Sequence, residues 1–324
     1  MFSVVIPCLD AERFLGQALD SVADQTLPAL EVLVVDDGST DRSVEIAQEH
    51  PVVSEILETP GHGPAGPGPA RNVGLSRASG PWVAFLDADD WWDADHLQSL
   101  ASVVEGTSSV AVLGAARHVP IGLDQAVSRS DPGPFTAPTA GLSHQAFLDL
   151  YLERRFLELS ASAFRRDRLV ELGGFREGAI EDLDVVLGAL RDRQWAIDPR
   201  PTSNYRCGNE DSRSARRPSH PAPYTAKLLV LREHQAHYTI PRNAFRALAR
   251  STLSQVILHC SQADARRAHD LVLTDLAWRD RLILGLGVRF PTTFRRAHRV
   301  RSRLRRPPHA PRVVLAGEGT PPPR

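Results

Sequence analysis

Apolar, β-branched runs that alternate with helical patterns set the frame for this chain. Ser3–Ile6 stops at Pro7, Glu31–Val35 ends in Asp36-Asp37-Gly38-Ser39, and Trp82–Leu86 ends in Asp87-Ala88-Asp89-Asp90. Each run has the length and composition of a strand. Between them lies a helical pattern from Glu12 to about Ala23, with Phe14, Leu15, Ala18, Leu19 and Val22 at helical spacing behind a capping Asp10. A second runs from a capping Asp41 to about Gln48, and Val52–Leu57 reads as a further strand. This alternation implies a largely parallel sheet with right-handed crossovers. Open α/β sheets place ligands beyond the carboxyl ends of their strands.

The stretch Phe85–Asp90 says most about chemistry. Three carboxylates directly after a buried strand repel one another unless solvent or a cation relieves them. A hard divalent ion, Mg²⁺ or Mn²⁺, prefers carboxylate oxygens and shares its coordination shell with substrate phosphates. A solvated acidic turn before a helix would use the same residues, so the flanking chain has to decide.

Thr59–Pro69 holds four Gly and four Pro and is expected to form no regular element, serving as a connector or as a flexible rim over a ligand. Ala70-Arg71-Asn72-Val73-Gly74 opens a short helix ending near Gly80. Asp93 caps a helix to about Val104, and Val110–Ala115 is another strand. Residues 117–141 read as an insertion or hairpin. Ser143 caps a helix through Leu150, Ser160–Phe164 is a strand, and Asp167–Leu172 is a helix stopped by Gly173-Gly174. After a loop, Glu181-Asp182 opens an amphipathic helix to about Arg193, and Trp195–Ile197 is the final strand. Composition shifts after Pro199. Ser203–Pro223 reads as an exposed linker, followed by helices over 224–237, 242–261 and 263–285. The expected division is an α/β domain over 1–215, a helical region over 216–306, and a Pro-rich disordered tail over 307–324.

The chain has 324 residues and a net charge of -1, so no global field attracts nucleic acid. Cys8, Cys207 and Cys260 are too scattered for a disulfide framework or a zinc site. A strand begins at Phe2 and no apolar run is long enough to span a bilayer. The expectation is a cytoplasmic protein, soluble or peripheral at the inner face of the membrane. Arg289, Arg295, Arg296, Arg299, Arg301, Arg303, Arg305 and Arg306 are interspersed with Phe290, Phe294, Val300 and Leu304. That mixture suits an interfacial helix on anionic lipid, although a solvated, fraying terminus accounts for the same residues. No stacking platform or reading motif accompanies the charge, which argues against nucleic acid as a partner.

Four pieces stand in one order: Val4-Val5-Ile6-Pro7-Cys8-Leu9-Asp10, Val34-Val35-Asp36-Asp37-Gly38-Ser39-Thr40-Asp41, Ala70-Arg71-Asn72-Val73-Gly74-Leu75 and Phe85-Leu86-Asp87-Ala88-Asp89-Asp90. Together they resemble the family 2 glycosyltransferases, which carry the GT-A fold. Gly173-Gly174-Phe175 followed by Glu181-Asp182 resembles the acceptor-side half of that family. The resemblance implies a GT-A α/β fold with a C-terminal helical extension, a nucleotide-sugar donor, a divalent metal (Mn²⁺ or Mg²⁺) and inversion at the anomeric carbon. It implies a nucleotide pocket of Pro7, Cys8, Leu9, Glu12, Asp36 and Asp37, in which a carboxylate can accept the imide N–H of a uracil or thymine ring. Arg71 would stack on the base or pair with phosphate. Asp89 would ligate the metal, with Asp87 on the ribose or the metal's waters. Asp182 would be the catalytic base and Glu181 would orient the acceptor or its loop. A UDP-linked donor is expected, with a glycan, lipid-linked or small-molecule acceptor.

Some positions depart from the family pattern. Cys8-Leu9-Asp10 replaces Thr-Tyr-Asn, which removes an aromatic from the base pocket. Arg176 replaces the Asp of Gly-Gly-Phe-Asp. Tyr205-Arg206-Cys207-Gly208 lacks the His that many relatives carry near the metal or diphosphate. No Gln-X-X-Arg-Trp motif surrounds Trp195, which argues for single-sugar transfer rather than polymer synthesis. Two other readings compete. A haloacid-dehalogenase-like phosphohydrolase also uses Asp-X-Asp, but Asp90-Trp91-Trp92 follows here, and the one lysine, Lys227, lies in the helical tail. A non-catalytic nucleotide-sugar-binding protein would tolerate the departures without explaining why both acidic clusters are kept.

Overall fold

The computed structural model describes residues 1–60, 67–123, 125–177, 180–208, 222–273, 276 and 278–295. The first half runs β1 (Phe2–Cys8), α1 (Leu15–Ala23), β2 (Glu31–Asp36), α2 (Ser43–Glu49), β3 (Glu55–Glu58), α3 (Pro67–Arg77), β4 (Trp82–Phe85), β5 (Trp91–Trp92) and α4 (His96–Val104). The second half runs β6 (Ala111–Pro120), β7 (Ser128–Arg129), β8 (Thr139–Ser143), α5 (His144–Arg154), β9 (Ala163–Arg165), α6 (Arg166–Leu172), α7 (Glu181–Leu190) and β10 (Gln194–Cys207). Four helices follow: α8 (Ala222–His234), α9 (Arg242–His259), α10 (Gln262–Val272) and α11 (Trp278–Arg289).

One sheet has the order β3-β2-β1-β4-β9-β6-β10-β5, with β7 on β6 and β8 on β10. The β3-β2-β1-β4 half is parallel, as strand–helix alternation requires. Beyond it β9 runs antiparallel to both β4 and β6, so the sheet is mixed there. Alternate residues of each strand feed opposite faces. Val5, Leu33, Phe85 and Phe164 join the core with α3, α5 and α7, and Val4, Ile6, Val34 and Ala84 join the other with α1 and α4. A third core lies among α9, α10 and α11, while Val230, Leu231 and Tyr238 pack on the α/β body.

Several expectations need correction. Pro67-Gly68-Pro69 was expected to be irregular but forms the first turn of α3, where a missing N–H costs nothing. Residues 61–66 lie outside the described residues. Trp195–Ile197 lies near the start of a fourteen-residue strand, Gln194–Cys207, that runs into the first residues of the linker expected over Ser203–Pro223. Its register shifts between Asp198 and Pro201 and between Pro201 and Ser203, so irregularities accommodate the prolines that interrupt the pattern. Asp10 does not cap α1, whose N-cap is Phe14 without a side-chain bond. The third strand starts later than Val52, at Glu55. The expected helix over 263–285 is two helices, α10 and α11. Ser143 does cap α5, accepting from the Ala146 N–H.

Candidate active site

Parallel register brings the first, second and fourth signature pieces to one sheet edge. Cys8 pairs with Asp36, and Val5 pairs with Phe85, so β1, β2 and β4 end side by side. The turns beyond them are stitched together. Asp10, with φ of 48°, accepts from the Thr40 N–H at 2.8 Å, and its own N–H donates to Ser39 Oγ at 3.1 Å. The Glu12 carboxylate accepts from the Arg42 N–H at 3.2 Å, and the Glu12 N–H donates to Asp41 at 2.9 Å. Asp36 accepts from the N–H groups of Gly38 and Ser39 and so shapes its own turn. Asp37 is buried, and its N–H donates to the Cys8 carbonyl at 2.8 Å. Pro7 is half-buried and Leu9 exposed at the same edge. Burial, with the Asp36 and Asp41 charges adding, pushes the Cys8 thiol up to about 12 against hydrogen bonds from Ser43 and Ser39. Cys8 is therefore a packed, un-ionised wall residue rather than a nucleophile.

Helix α3 links the acids after β4 to the acids that open α7. A Cβ on Gly74 would collide with Val5 Cγ1, so glycine lets the helix lie close on β1. That placement buries Arg71, whose Nη2 is 2.7 Å from Asp87 Oδ1 and whose Nη1 is 3.4 Å from Glu181 Oε1. Its guanidinium also lies 5.5 Å from the Phe175 ring centroid. Burial opposes the charge, but Asp87, then Glu181 and Asp182, outweigh it and hold Arg71 above its ordinary value. Asn72 clamps the loop before α7: its Nδ2 donates to the Phe175 carbonyl and its Oδ1 accepts from the Phe175 N–H, both at 2.7 Å. Gly174 sits at φ of 78°, and a Cβ there would strike Asn72 Oδ1.

The three acids after β4 have separate fates. Asp87 and Asp89 are half-buried, and Asp90 is buried at 1% exposure. Burial, then the charges of Asp87 and Asp89, raise Asp90 well above the usual carboxylate range, and it accepts the Arg206 N–H at 2.9 Å. Sequence reasoning treated the cluster as a unit, whereas Asp90 turns inward and ties the end of β10 to this turn. Arg206, which occupies the segment lacking a histidine, donates from Nε to the Asp89 carbonyl at 2.7 Å. Its guanidinium lies between Phe14 and Trp91, with centroid distances of 4.4 and 4.5 Å. Among the described residues, no three His, Cys, Asp or Glu side chains are grouped to hold a metal ion. Two half-buried carboxylates beside a third raised by their charge nevertheless fit a divalent cation that takes its remaining oxygens from a diphosphate and water.

Helix α7 opens with the Glu181-Asp182 pair. Its N-cap Ile180 has φ of 67°, a left-handed conformation strained for a β-branched residue. Glu181 is buried against Arg71, and Asp182 is half-buried with Oδ1 accepting from the Leu183 N–H at 2.7 Å. Asp184 is turned elsewhere, paired with Arg176 Nε at 2.7 Å and His234 Nε2 at 3.0 Å. Arg176, the departure from the family's Asp, is thus a tether from this loop to α8, where it also meets Glu233. Buried Arg168 fixes the far end of α7 by donating to the carbonyls of Ala189, Gly188 and Arg191. Neither the Arg168 anchor nor the Ile180 strain leaves a signal in a single sequence.

Comparison with known proteins identifies the family. Residues 3–170 match the model of glycosyl transferase family 2. The chain belongs to that family. The match sets aside the phosphohydrolase alternative. Similar sequences include glycosyltransferase GlyA of Streptococcus pneumoniae, 38% identical over 111 residues that make up 34% of this chain and 16% of that protein. The poly(ribitol-phosphate) β-N-acetylglucosaminyltransferase TarS of Staphylococcus aureus is 34% identical over 119 residues, 35% of this chain and 20% of TarS. The matched stretches are therefore a minor part of those relatives. In three dimensions, S. aureus TarS 1–349 in complex with UDP-GlcNAc superposes with a TM-score of 0.68 at 20% identity, covering 92% of this chain and 91% of that one. The mannosyltransferase PcManGT of Pyrobaculum calidifontis, in complex with GDP-Man and Mn²⁺, gives 0.54 at 17% identity, covering 94% and 84%. These likenesses show the GT-A fold, with the C-terminal helices added to it.

Proposed function

We propose that the chain is an inverting glycosyltransferase that moves a single sugar from a nucleoside-diphosphate sugar to an acceptor hydroxyl. The observation that carries this reading is Arg71, which reaches the Asp-X-Asp turn through Asp87 and the acidic pair of α7 through Glu181. One side chain thereby ties the proposed donor side to the proposed acceptor side. The acceptor hydroxyl gives its proton to Asp182 as its oxygen bonds the anomeric carbon. The bond from that carbon to the diphosphate oxygen breaks on the opposite face, and the nucleoside diphosphate leaves. Asp89, with Asp87, would hold a divalent cation, whose charge would offset that of the diphosphate. The Pro7–Leu9 and Asp36-Asp37 edge takes the nucleoside. The neighbours' ligands, UDP-GlcNAc in TarS and GDP-Man with Mn²⁺ in PcManGT, support a nucleotide-sugar donor with a metal, and the better-superposed one supports UDP.

We also retain the division at about residue 215 and the membrane-surface reading of the basic end as proposals. No helix among the described residues is long and apolar enough to cross a membrane. On α11, however, Leu282, Ile283 and Leu286, followed by Phe290, are more than half exposed next to Arg289, which suits an anionic surface. Residues 296–306, with most of the arginines, lie outside the described residues.

The test is nucleotide release from UDP-, GDP- and dTDP-sugars, with and without acceptor, for the wild type and for Asp89→Asn. Release that needs metal and falls sharply in Asp89→Asn is expected. Release that survives both saturating EDTA and the substitution would remove the metal role, and tight binding without turnover on any acceptor would favour a non-catalytic binder.

A further inference from the structure

We infer that the His118–Glu158 pair is the subsite that reads the hydroxyls of the transferred sugar. This rests on the glycosyl-transfer reading and names residues that set its donor-sugar specificity.

Topology places the pair. Strand β9 is antiparallel to β4 with Ala163 beside Ala84, so the chain before β9 runs alongside the turn after β4. The contact is direct: Ser160 Oγ accepts from the Asp87 N–H at 3.1 Å, and the Ser160 carbonyl accepts from Trp92 Nε1 and Ser203 Oγ. A Cβ on Gly114 would strike the Ala161 carbonyl, so glycine lets this segment lie close on β6. Glu158 stands two residues before Ser160. Strands β6 and β10 run parallel to the same edge, where His118 is in register with Tyr205. The next residue, Arg206, donates to the Asp89 carbonyl and turns its guanidinium to Phe14, beside α1. Side chains alternate along a strand. Tyr205 and His118, whose rings lie 5.4 Å apart, therefore turn to the opposite face, the one that carries α3 and α7. With the nucleoside at β1 and β2 and the diphosphate at the turn after β4, a sugar joined to that diphosphate reaches the next stretch of the edge, which Glu158 and His118 occupy.

The chemistry of the pair suits hydroxyls. His118 Nε2 is 3.0 Å from Glu158 Oε1, and Ser128 Oγ, across the β6–β7 pairing, is 3.2 Å from Nδ1. Both ring nitrogens are held, so the imidazole is fixed and fixes one carboxylate oxygen in turn. The hydrogen bond to Glu158 keeps His118 above its ordinary value against burial. Among the described residues no hydrogen bond engages Glu158 Oε2. The two side chains are 27% and 20% exposed, so the pair is held by the fold and still within reach of a ligand. A carboxylate accepts from a hydroxyl more strongly than a neutral group does, and one already fixed loses little freedom on binding. Sugars differ in where their hydroxyls stand, so a fixed carboxylate tells one from another. A plain lock between β7, β6 and the chain before β9 would use the same internal bonds, and ligand binding separates the two roles.

The probes are the sugar nucleotide with the fastest nucleotide release and the matching nucleoside diphosphate, which lacks the sugar. Calorimetry on the full chain, without acceptor, should show Glu158→Gln binding the sugar nucleotide about tenfold more weakly, with affinity for the nucleoside diphosphate within about twofold of the wild type. Donor analogues lacking one hydroxyl each read the contact itself. The analogue that the wild type binds most weakly should be bound by Glu158→Gln about as well as the parent donor. His118→Gln, which loosens Glu158 and leaves its carboxylate in place, should blunt the same discrimination to a smaller degree, and it carries the test if Glu158→Gln does not fold. Equal weakening of sugar nucleotide and nucleoside diphosphate would assign the pair to the fold. An effect confined to acceptor KM would assign it to the acceptor, and undiminished discrimination among the analogues would deny the contact. Each of these overturns the inference alone. A wild type that binds no nucleotide would remove the glycosyl-transfer reading together with it.

Discussion

Replacing Arg71 by Met should be among the most destabilising single changes in the α/β body, because of what it leaves behind. The Arg71 side chain is 4% exposed and the Glu181 side chain 3%, whereas that of Asp87 is 36% exposed. Water can take over the solvation of Asp87 when the guanidinium goes, so that pair contributes little. The buried Glu181 is far less open to water. Breaking a buried pair by removing one partner typically costs about 3–5 kcal/mol, mainly through the uncompensated charge. The lost contact with Phe175 adds about 0.5–1 kcal/mol. Against a total stability on the order of 5–15 kcal/mol, the expected loss is a large fraction. Removing the Glu181 charge as well, in Arg71→Met/Glu181→Gln, should recover on the order of 2–3 kcal/mol, the coupling that contacting buried groups show. Urea unfolding followed by tryptophan fluorescence measures both, provided the slope m is unchanged between variants. A single-variant loss under about 1 kcal/mol, or no recovery in the double variant, would refute the claim that Arg71 neutralises Glu181.

Other consequences are equally direct. Gly174→Ala forces a Cβ onto Asn72 Oδ1 in a left-handed conformation, so it should destabilise the loop before α7 by about 1–3 kcal/mol and raise acceptor KM before it alters nucleotide affinity, as read by melting and calorimetry. The folded state holds Lys227 near 7 and the unfolded state near 10.5, so the unfolded chain binds more protons between those values and wild-type stability rises with pH across that window. Lys227→Met should therefore gain most over the wild type at pH 7 and below, with the gain fading toward pH 10.5; a pH-independent difference in melting temperature would contradict this. Val288 is buried, and Arg295 donates to the carbonyls of Ile257 and Cys260, so the basic end is best removed after Arg295. That truncation, combined with Leu286→Glu, should abolish sedimentation with anionic vesicles, and sedimentation equal to that of the full chain would remove the membrane reading.

Local chemistry made the first half of the fold legible and, in the second half, the helices α5, α6 and α7, while the extent and pairing of the later strands stayed hidden. Parallel strands buried on both faces read as apolar runs, and their carboxylate ends fall together because parallel register leaves them no alternative. The run of β10 is interrupted by Pro199 and Pro201, so its long pairing with β6 is a tertiary fact that period and propensity do not encode. The antiparallel β9, Ala163–Arg165, shares only its first two residues with the strand expected over Ser160–Phe164, and its antiparallel pairing has no local signal. At the site, Arg71, Asp87, Asp89, Glu181 and Asp182 were all named from motifs, yet the contact that unites them spans more than a hundred residues of chain. Asp90 and Arg206 received no role from the sequence for one reason: burial decides whether a charge serves a ligand or the fold, and burial of single polar residues has no periodic signature. The tethering of Asp184 by Arg176 and His234 required both helices in place.

The central claim is that Asp182 removes the acceptor's proton, and Asp182→Asn tests it with the least change of shape. Turnover at saturating donor and acceptor should fall by ~10²–10⁴ while calorimetric affinity for UDP stays close to that of the wild type. Near wild-type turnover in Asp182→Asn, with collapse in Glu181→Gln or Asp184→Asn, would show that the proton goes to another carboxylate.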